Sequence, residues 1–212
     1  MISFMTVGPI GANTFFYIDD NTKHGFIIDP GAEAKKLLSY INEQGYIIEK
    51  ILITHGHLDH IGAAEEIKEA LGCEIVAHKE SKLYFEDPNF NLSATWGDPF
   101  TVKGDIFLEE GESVSLEENP EFKLELIHVP GHSMDGVAYY SSSENIVFAG
   151  DILFNGSVGR TDFPGGNNSQ LLRGITEKMF TLPEETIVYC GHGNATTIKK
   201  EKYTNPIFHM YD

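Results

Sequence analysis

Arginine is nearly absent from this chain. Arg160 and Arg173 are its only examples among 15 basic residues, set against 32 Asp and Glu, for a formal net charge of −17 over 212 residues. No lysine block compensates, and a surface this acidic repels phosphate backbones and anionic lipid, so nucleic acid and membrane are not expected partners. Cysteine is equally scarce: Cys73 and Cys190 are too few for a disulfide framework and read as reduced thiols. No apolar run approaches the ~20 residues that span a bilayer. No basic residue precedes Lys23, so the charged start of a secretory leader is lacking and a cytoplasmic location is expected. Internal repeats and low-complexity tracts are also missing. What is present is 41% hydrophobic and 11% aromatic residues, enough for a sizeable core. The length fits one domain over residues 1–212, as a monomer or small homo-oligomer.

The opening third alternates strand-like and helix-like patterns. Runs 13–18 and 25–28 read as strands about the polar turn Asp19-Asp20-Asn21. Leu37, Leu38 and Ile41 predict a helix closed by Gly45. Residues 51–54 predict a strand buried on both faces. Ala63, Ala64, Ile67, Ala70 and Leu71 predict a helix starting near Ile61 and ended by Gly72, and 74–77 returns as a strand. Residues 86–120, punctuated by proline, glycine and asparagine and holding the single Trp96, read as a long irregular connection. It either borders an active site or packs its own aromatics at the surface. Strands are predicted again at 122–128, 136–140, 145–149 and 186–190, with a helix from Asn168 or Ser169 carrying Leu171, Ile175 and Met179 on one stripe. Two strand-rich halves, each with helices, predict an α/β fold of αββα type, two packed mixed sheets with helices outside.

Chemistry concentrates at His55-Gly56-His57-Leu58-Asp59-His60, directly after a buried strand. Four donors in six residues crowd a single tetrahedral ion but can be shared by two, His55 and His57 facing one, Asp59 and His60 the other. Imidazole with carboxylate suits zinc, iron or manganese. His132 in Pro130-Gly131-His132-Ser133, Asp151 in Gly150-Asp151 and His192 in Gly191-His192-Gly193 each follow a predicted strand, beside a glycine. Five of the nine histidines fall in this set, while His24, His78, His128 and His209 lie outside it. His128 reads as structural or supporting, Cys190 as inert packing, and Ser133 as a turn residue.

The ordered set of His55, His57, Asp59, His60, His132, Asp151 and His192 resembles the ligand pattern of the metallo-β-lactamase-fold hydrolases, over almost the whole chain. Within that superfamily the chain looks most like the short bacterial glyoxalase II-like (hydroxyacylglutathione hydrolase-like) proteins. Asn13-Thr14, Asp29-Pro30-Gly31, Gly150-Asp151-Ile152-Leu153-Phe154 and the run from Gly159 to Gly166 carry that likeness. The resemblance implies two divalent ions per chain, zinc first and iron or manganese otherwise. His55, His57 and His132 would hold the first, Asp59, His60 and His192 the second, and Asp151 would bridge them. It implies hydrolysis of a small acyl-thiol substrate, such as an S-2-hydroxyacyl thiol like S-lactoylglutathione, by a metal-bridging hydroxide. Asp59 would add an orienting role to ligation. Asp29 reads either as a partner of a ligand imidazole or as a strand-ending turn. Arg160 is either a clamp for a substrate carboxylate or a loop ion pair with Asp162, and Phe154 and Phe163 are candidates for the same pocket.

Two points depart from that pattern. Full-length glyoxalase II enzymes carry a C-terminal helical domain that contacts glutathione, and the 20 residues after His192 are too few for one, which leaves the thiol open. The run Gly159-Arg160-Thr161-Asp162-Phe163 also resembles mono-iron persulfide dioxygenases, whose two histidines and aspartate would map onto His55, His132 and Asp151. Hydrolysis of β-lactams is not expected, given the lack of a secretory start, nor is a non-catalytic module, since no ligand is missing.

Overall fold

The computed structural model describes residues 1–209. Its first half runs β1 (Ile2–Val7), β2 (Ala12–Ile18), β3 (His24–Ile28), α1 (Ala34–Gln44), β4 (Ile47–Leu52), α2 (Leu58–Ile61), α3 (Ala64–Leu71), β5 (Glu74–His78), α4 (Ser81–Glu86), α5 (Ser93–Trp96) and β6 (Ile106–Leu108). The second half runs β7 (Ser113–Ser115), β8 (Lys123–His128), β9 (Val137–Ser141), β10 (Ile146–Gly150), β11 (Leu153–Phe154), β12 (Ser157–Val158), α6 (Asn168–Glu177), β13 (Ile187–Cys190), β14 (Thr196–Thr197), α7 (Ile198–Thr204) and α8 (Pro206–His209).

The strands form two six-stranded mixed sheets, ordered β1-β2-β3-β4-β5-β6 and β14-β13-β10-β9-β8-β7, plus a small β11-β12 ribbon. Strand alternation explains the layering. Phe15, Tyr17, Phe26, Ile28, Leu52 and Val76 face inward from the first sheet and meet Leu124, Leu126, Tyr139 and Phe148 of the second. Their neighbours Phe16, Ile18, Ile27, Ile51 and Ile75 point the other way, onto α1 and α3 through Leu37, Ile41, Ala64 and Ile67. Val147, Ala149 and Val188 back onto Leu171 and Ile175 of α6 in the same manner. Four layers with helices outside are the αββα sandwich that the two strand-rich halves predict. Each fully buried Phe or Ile in these layers contributes about 1.5–3 kcal/mol of transfer free energy.

Helix ends follow local chemistry. Gly45 takes the left-handed conformation (φ 68°) after α1 and returns its N–H to the carbonyls of Ile41 and Asn42. The cap of α6 is neither Asn168 nor Ser169 but Asn167, which accepts the Gln170 N–H.

Several predicted boundaries need correction. The strand placed at 51–54 is β4, Ile47–Leu52, and Thr54 leaves the ladder because its N–H donates to the Asp29 carboxylate rather than to a neighbouring strand. The helix expected from Ile61 is two pieces: a single turn, Leu58–Ile61, carries Asp59 and His60, and α3 follows from Ala64. The edge strand β1 lies where no strand was predicted, and the 86–120 segment holds α5, β6 and β7. Among the described residues no helix is long and apolar enough to cross a membrane.

Candidate metal centre

Topology brings the donor loops together. β8 and β10 both run antiparallel to β9 and so run parallel to each other, while β13 is parallel to β10. The segments after β8, β10 and β13, carrying His132, Asp151 and His192, therefore emerge at one end of the second sheet. The segment after β4 is tied to the same end by the Val137 N–H, which donates to the Thr54 carbonyl at 2.8 Å. Asn13 braces the far side, its backbone N–H donating to the Gly191 carbonyl and its side-chain amide to those of Cys190 and Gly193.

At that end all seven predicted ligands converge. His55, His57 and His132 form one donor set, Asp59, His60 and His192 another, and His55, His60 and Asp151 a third between them, with the donor atoms of each set within 4.8 Å of one another. Asp151 faces both outer sets: its Oδ1 is 3.5 Å from His60 Nε2, and its Oδ2 is 3.6 Å from Nε2 of both His132 and His192. Asp59 Oδ2 is 3.3 Å from His192 Nε2. Close approach of the backbone permits this crowding, since a Cβ on Gly191 would stand 2.3 Å from Asp151 Oδ1.

Three of the five imidazoles are turned by a partner on their other nitrogen. Nδ1–H of His60 donates to Asp29 (2.9 Å), that of His132 to the Arg160 carbonyl (2.7 Å) and that of His192 to the Gly11 carbonyl (3.1 Å). All three thus turn Nε2 toward the basin. Asp29 is an organising residue rather than only a turn: it takes the Thr54 N–H and hydroxyl at 2.7 and 2.6 Å as well as His60. Its backbone sits in the left-handed region (φ 52°), which aspartate tolerates better than most residues.

The electrostatics fit cation binding. Burial, followed by neighbouring imidazoles, holds His55 and His57 well below the ordinary histidine value, so both are neutral and able to ligate. Burial also lowers His132. His60 goes the other way: burial opposes protonation, but Asp59, Asp29 and Asp151 push it up to about 10. Burial would raise Asp59, yet the charge of His60 and the hydrogen bond from His192 hold it below the usual carboxylate range. Nε2 of His55 and His60 and Oδ1 of Asp151 are buried without any hydrogen-bond partner, and Nδ1 of His57 lies 3.0 Å from His132 Nε2. Orphaned donors aimed at a shared space, of mixed imidazole and carboxylate type, fit divalent metal.

The cleft above is a cavity of about 360 Å³ walled by Leu92, Phe154, Val158 and Phe163. Trp96 and Leu92 belong to its wall, so the 86–120 segment does border the site. Arg160 lines the cleft too, with its guanidinium gripped by both oxygens of Asp162 at 2.6 Å and lying 4.2 Å over the Phe163 ring. Phe163 in turn stands edge-on to His57 at 5.5 Å. Cys190 is buried behind the sheet, its thiol pushed up to about 12 by burial, as inert packing requires.

Sequence reasoning missed Asp135. Its carboxyl is fully buried, accepts the Gly56 N–H and the Ser81 hydroxyl at 2.8 Å, and is raised to about 6 by burial. It anchors the turn between His55 and His57, and nothing in its local sequence marks it. Tyr84, whose hydroxyl accepts the Met134 N–H, was likewise unmarked.

The comparisons agree with this geometry. The metallo-beta-lactamase superfamily model matches residues 7–192. The chain is 42% identical to the probable metallo-hydrolase YqgX of Bacillus subtilis, over 98% of this chain and 97% of that one. It is 37% identical to the hydroxyacylglutathione hydrolase GloC of Haemophilus influenzae, over 88% of both. Among solved structures, that of the BLEG-1 B3 metallo-beta-lactamase superposes with a TM-score of 0.92 at 36% identity, covering 98% of this chain and 99% of that one. TTHA1623 in a di-iron-bound form gives 0.83 at 35%, covering 97% and 99%. Fold, donor set and sequence likeness converge, and the chain belongs to the metallo-beta-lactamase superfamily.

Proposed function

We propose that this metallo-hydrolase cleaves small thioesters, such as an S-2-hydroxyacyl thiol. His55, His57 and His132 would hold one divalent cation and Asp59, His60 and His192 a second, with Asp151 placed between the two sets. The observation that carries the reading is two donor sets in one buried basin with Asp151 between them. Two cations bound there supply hydroxide at neutral pH and stabilise the oxyanion of the attacked carbonyl. The chain's own residues do the rest. Asp29 and the carbonyls of Gly11 and Arg160 hold three imidazoles in one tautomer. Asp59, kept ionised, can accept a hydrogen bond from the nucleophile and orient it, while Phe154, Phe163 and Arg160 wall the space for the acyl group. Ser133 is buried beside Asp135 and Tyr84, and no imidazole is hydrogen-bonded to its hydroxyl to make it a nucleophile. Likeness to GloC supports a hydroxyacyl thioester, and likeness to BLEG-1 makes a β-lactam the control substrate.

The test is elemental analysis of the purified protein alongside a thioester panel. The reading expects about two ions per chain, of zinc, iron or manganese, and hydrolysis that disappears together with metal in Asp151→Ala. Unchanged turnover in that variant would remove Asp151 from the centre. A single iron per chain, with oxygen consumed in the presence of a persulfide, would replace hydrolysis by the dioxygenase that His55, His132 and Asp151 could serve.

A further inference from the structure

A second cavity, of about 270 Å³, adjoins the metal cleft. It shares Ile10, Leu58, Asp59 and Trp96 with the first and runs between the Val7–Pro9 turn and Phe100. The two cavities lie side by side along Asp59 and Trp96, as two arms for the two halves of a thioester joined at the scissile carbon. The arms are alike in chemistry. Among the described residues, Arg160 is the one cation lining either of them, and its charge is answered by Asp162. The other charged groups on the walls are carboxylates, Asp59 and Asp151 in the first arm and Asp59 and Asp98 in the second. Trp96 stands at the junction, edge-on to Phe163 at 5.7 Å, and is 51% exposed despite being the largest apolar side chain of the protein. A ring left open to water beside a reactive centre is a surface awaiting an apolar partner.

We infer that the thiol half of the substrate is uncharged and lies in the second arm against Trp96, opposite the acyl half. This rests on the thioester reading. Water adds to the carbonyl carbon, the C–S bond breaks, the electron pair leaves with sulfur, and the products are a carboxylate, a thiol and a proton. Glutathione brings two carboxylates against one ammonium and is a net anion. Neither arm offers them a free cationic side chain, the second arm lies away from the metal donors other than Asp59, and Asp98 together with the net charge of −17 repels them. A thiol with an amide or alkyl body loses only water from apolar walls.

Trp96 is the single tryptophan, so its fluorescence reports the junction directly. The metal-loaded protein is titrated with two thioethers that lack the scissile carbonyl, S-butyl-N-acetylcysteamine and S-butylglutathione, and assayed with the S-lactoyl thioesters of the same two thiols. The neutral thioether should saturate the fluorescence change at a concentration lower by about tenfold or more, and the neutral thioester should show a kcat/KM higher by a similar factor. Trp96→Ala should raise KM for the neutral thioester severalfold with kcat and metal content retained, and Trp96→Phe should restore it. Preference for the glutathione compounds, weakening as salt screens them, would overturn the inference while leaving the hydrolase reading intact. Failure of the loaded protein to hydrolyse either thioester would sink the hydrolase reading instead, and the thioether titration would still decide which thiol the second arm accepts.

Discussion

The floor of the cleft and its mouth are built by opposite means. On the floor, His60, His132 and His192 are each fixed by a hydrogen bond reaching another element, and Asp29 ties the end of β4 to α2. At the mouth, Trp96, Phe163 and Arg160 lean on one another and on Asp162, and Trp96, Arg160 and Asp162 are exposed. Such a division separates two tasks. Holding cations needs donors within tenths of an ångström, which buried backbone and paired polar groups supply. Selecting a substrate needs surface that can change without disturbing them.

The sharpest way to break this division is one methyl group on the floor. A Cβ at residue 191 would fall 2.3 Å from Asp151 Oδ1 and 2.9 Å from the His60 ring. The backbone cannot retreat, because its N–H and carbonyl are bonded to Gly150 and Asn13 at 2.8 and 2.7 Å. Gly191→Ala should therefore lose metal and drop kcat by about 100-fold or more, with the circular dichroism of the fold retained. Full metal content and turnover would show that the floor is softer than its contacts imply.

Asp29→Asn is subtler and nearly as damaging. Asparagine tolerates the left-handed backbone and can still accept the Thr54 N–H, but its NH₂ then faces His60 Nδ1 with a donor. The imidazole must move its proton to Nε2, the atom that faces Asp59 and Asp151. Affinity at the Asp59–His60–His192 set should fall by about 10–100-fold while the other set is spared, leaving about one ion per chain after dialysis. Loss of both ions together would mean that the two sets act as one unit.

At the mouth the expected effect is smaller. His132 is held by the carbonyl of Arg160 and not by its side chain, so Arg160→Ala should keep metal content and kcat. Removing the cation from above Phe163 should loosen that wall and raise KM severalfold. Metal loss in this variant would erase the boundary between floor and mouth.

The same boundary marks what could be read from the sequence. Strands were legible where alternation buries both faces, as at 13–18 and 25–28, and the donors were legible because strand ends bearing histidine or aspartate beside glycine are rare and local. β1 was not, since five of its six residues are half-exposed or exposed and only Val7 is buried, so it lacks the alternation that marks the strands behind it. Asp135 and the carbonyls of Gly11 and Arg160 were equally invisible: their roles come from chain segments 28 to 181 residues away from their partners, and a carbonyl carries no side-chain signature. Asp29 was visible as a residue, but its two readings separated only once Thr54 and His60 were seen to share it.

Burial of histidine alone does not make such a floor, and His78 with His128 shows why. The two rings stack at 3.9 Å near the ends of β5 and β8, with His128 donating to the Met134 carbonyl and the Glu80 N–H pointing at His78 Nδ1. Among the described residues no third donor joins them to form a metal-binding set. Burial, then the neighbouring His128, lowers His78 to about 4, so the folded state binds fewer protons there than the unfolded chain, whose histidine titrates near 6.5. Stability from this pair is complete above about pH 6.5 and declines as pH falls toward 4, since the unfolded state gains the proton first. His78→Gln should flatten the fall in unfolding free energy between pH 7 and 5 by an amount on the order of 1 kcal/mol, with a matching change in the Tm profile, and leave turnover and metal content alone. Parallel Tm profiles for the two proteins would show that the stacked pair titrates freely, and a change in metal content would show that the floor reaches as far as β5.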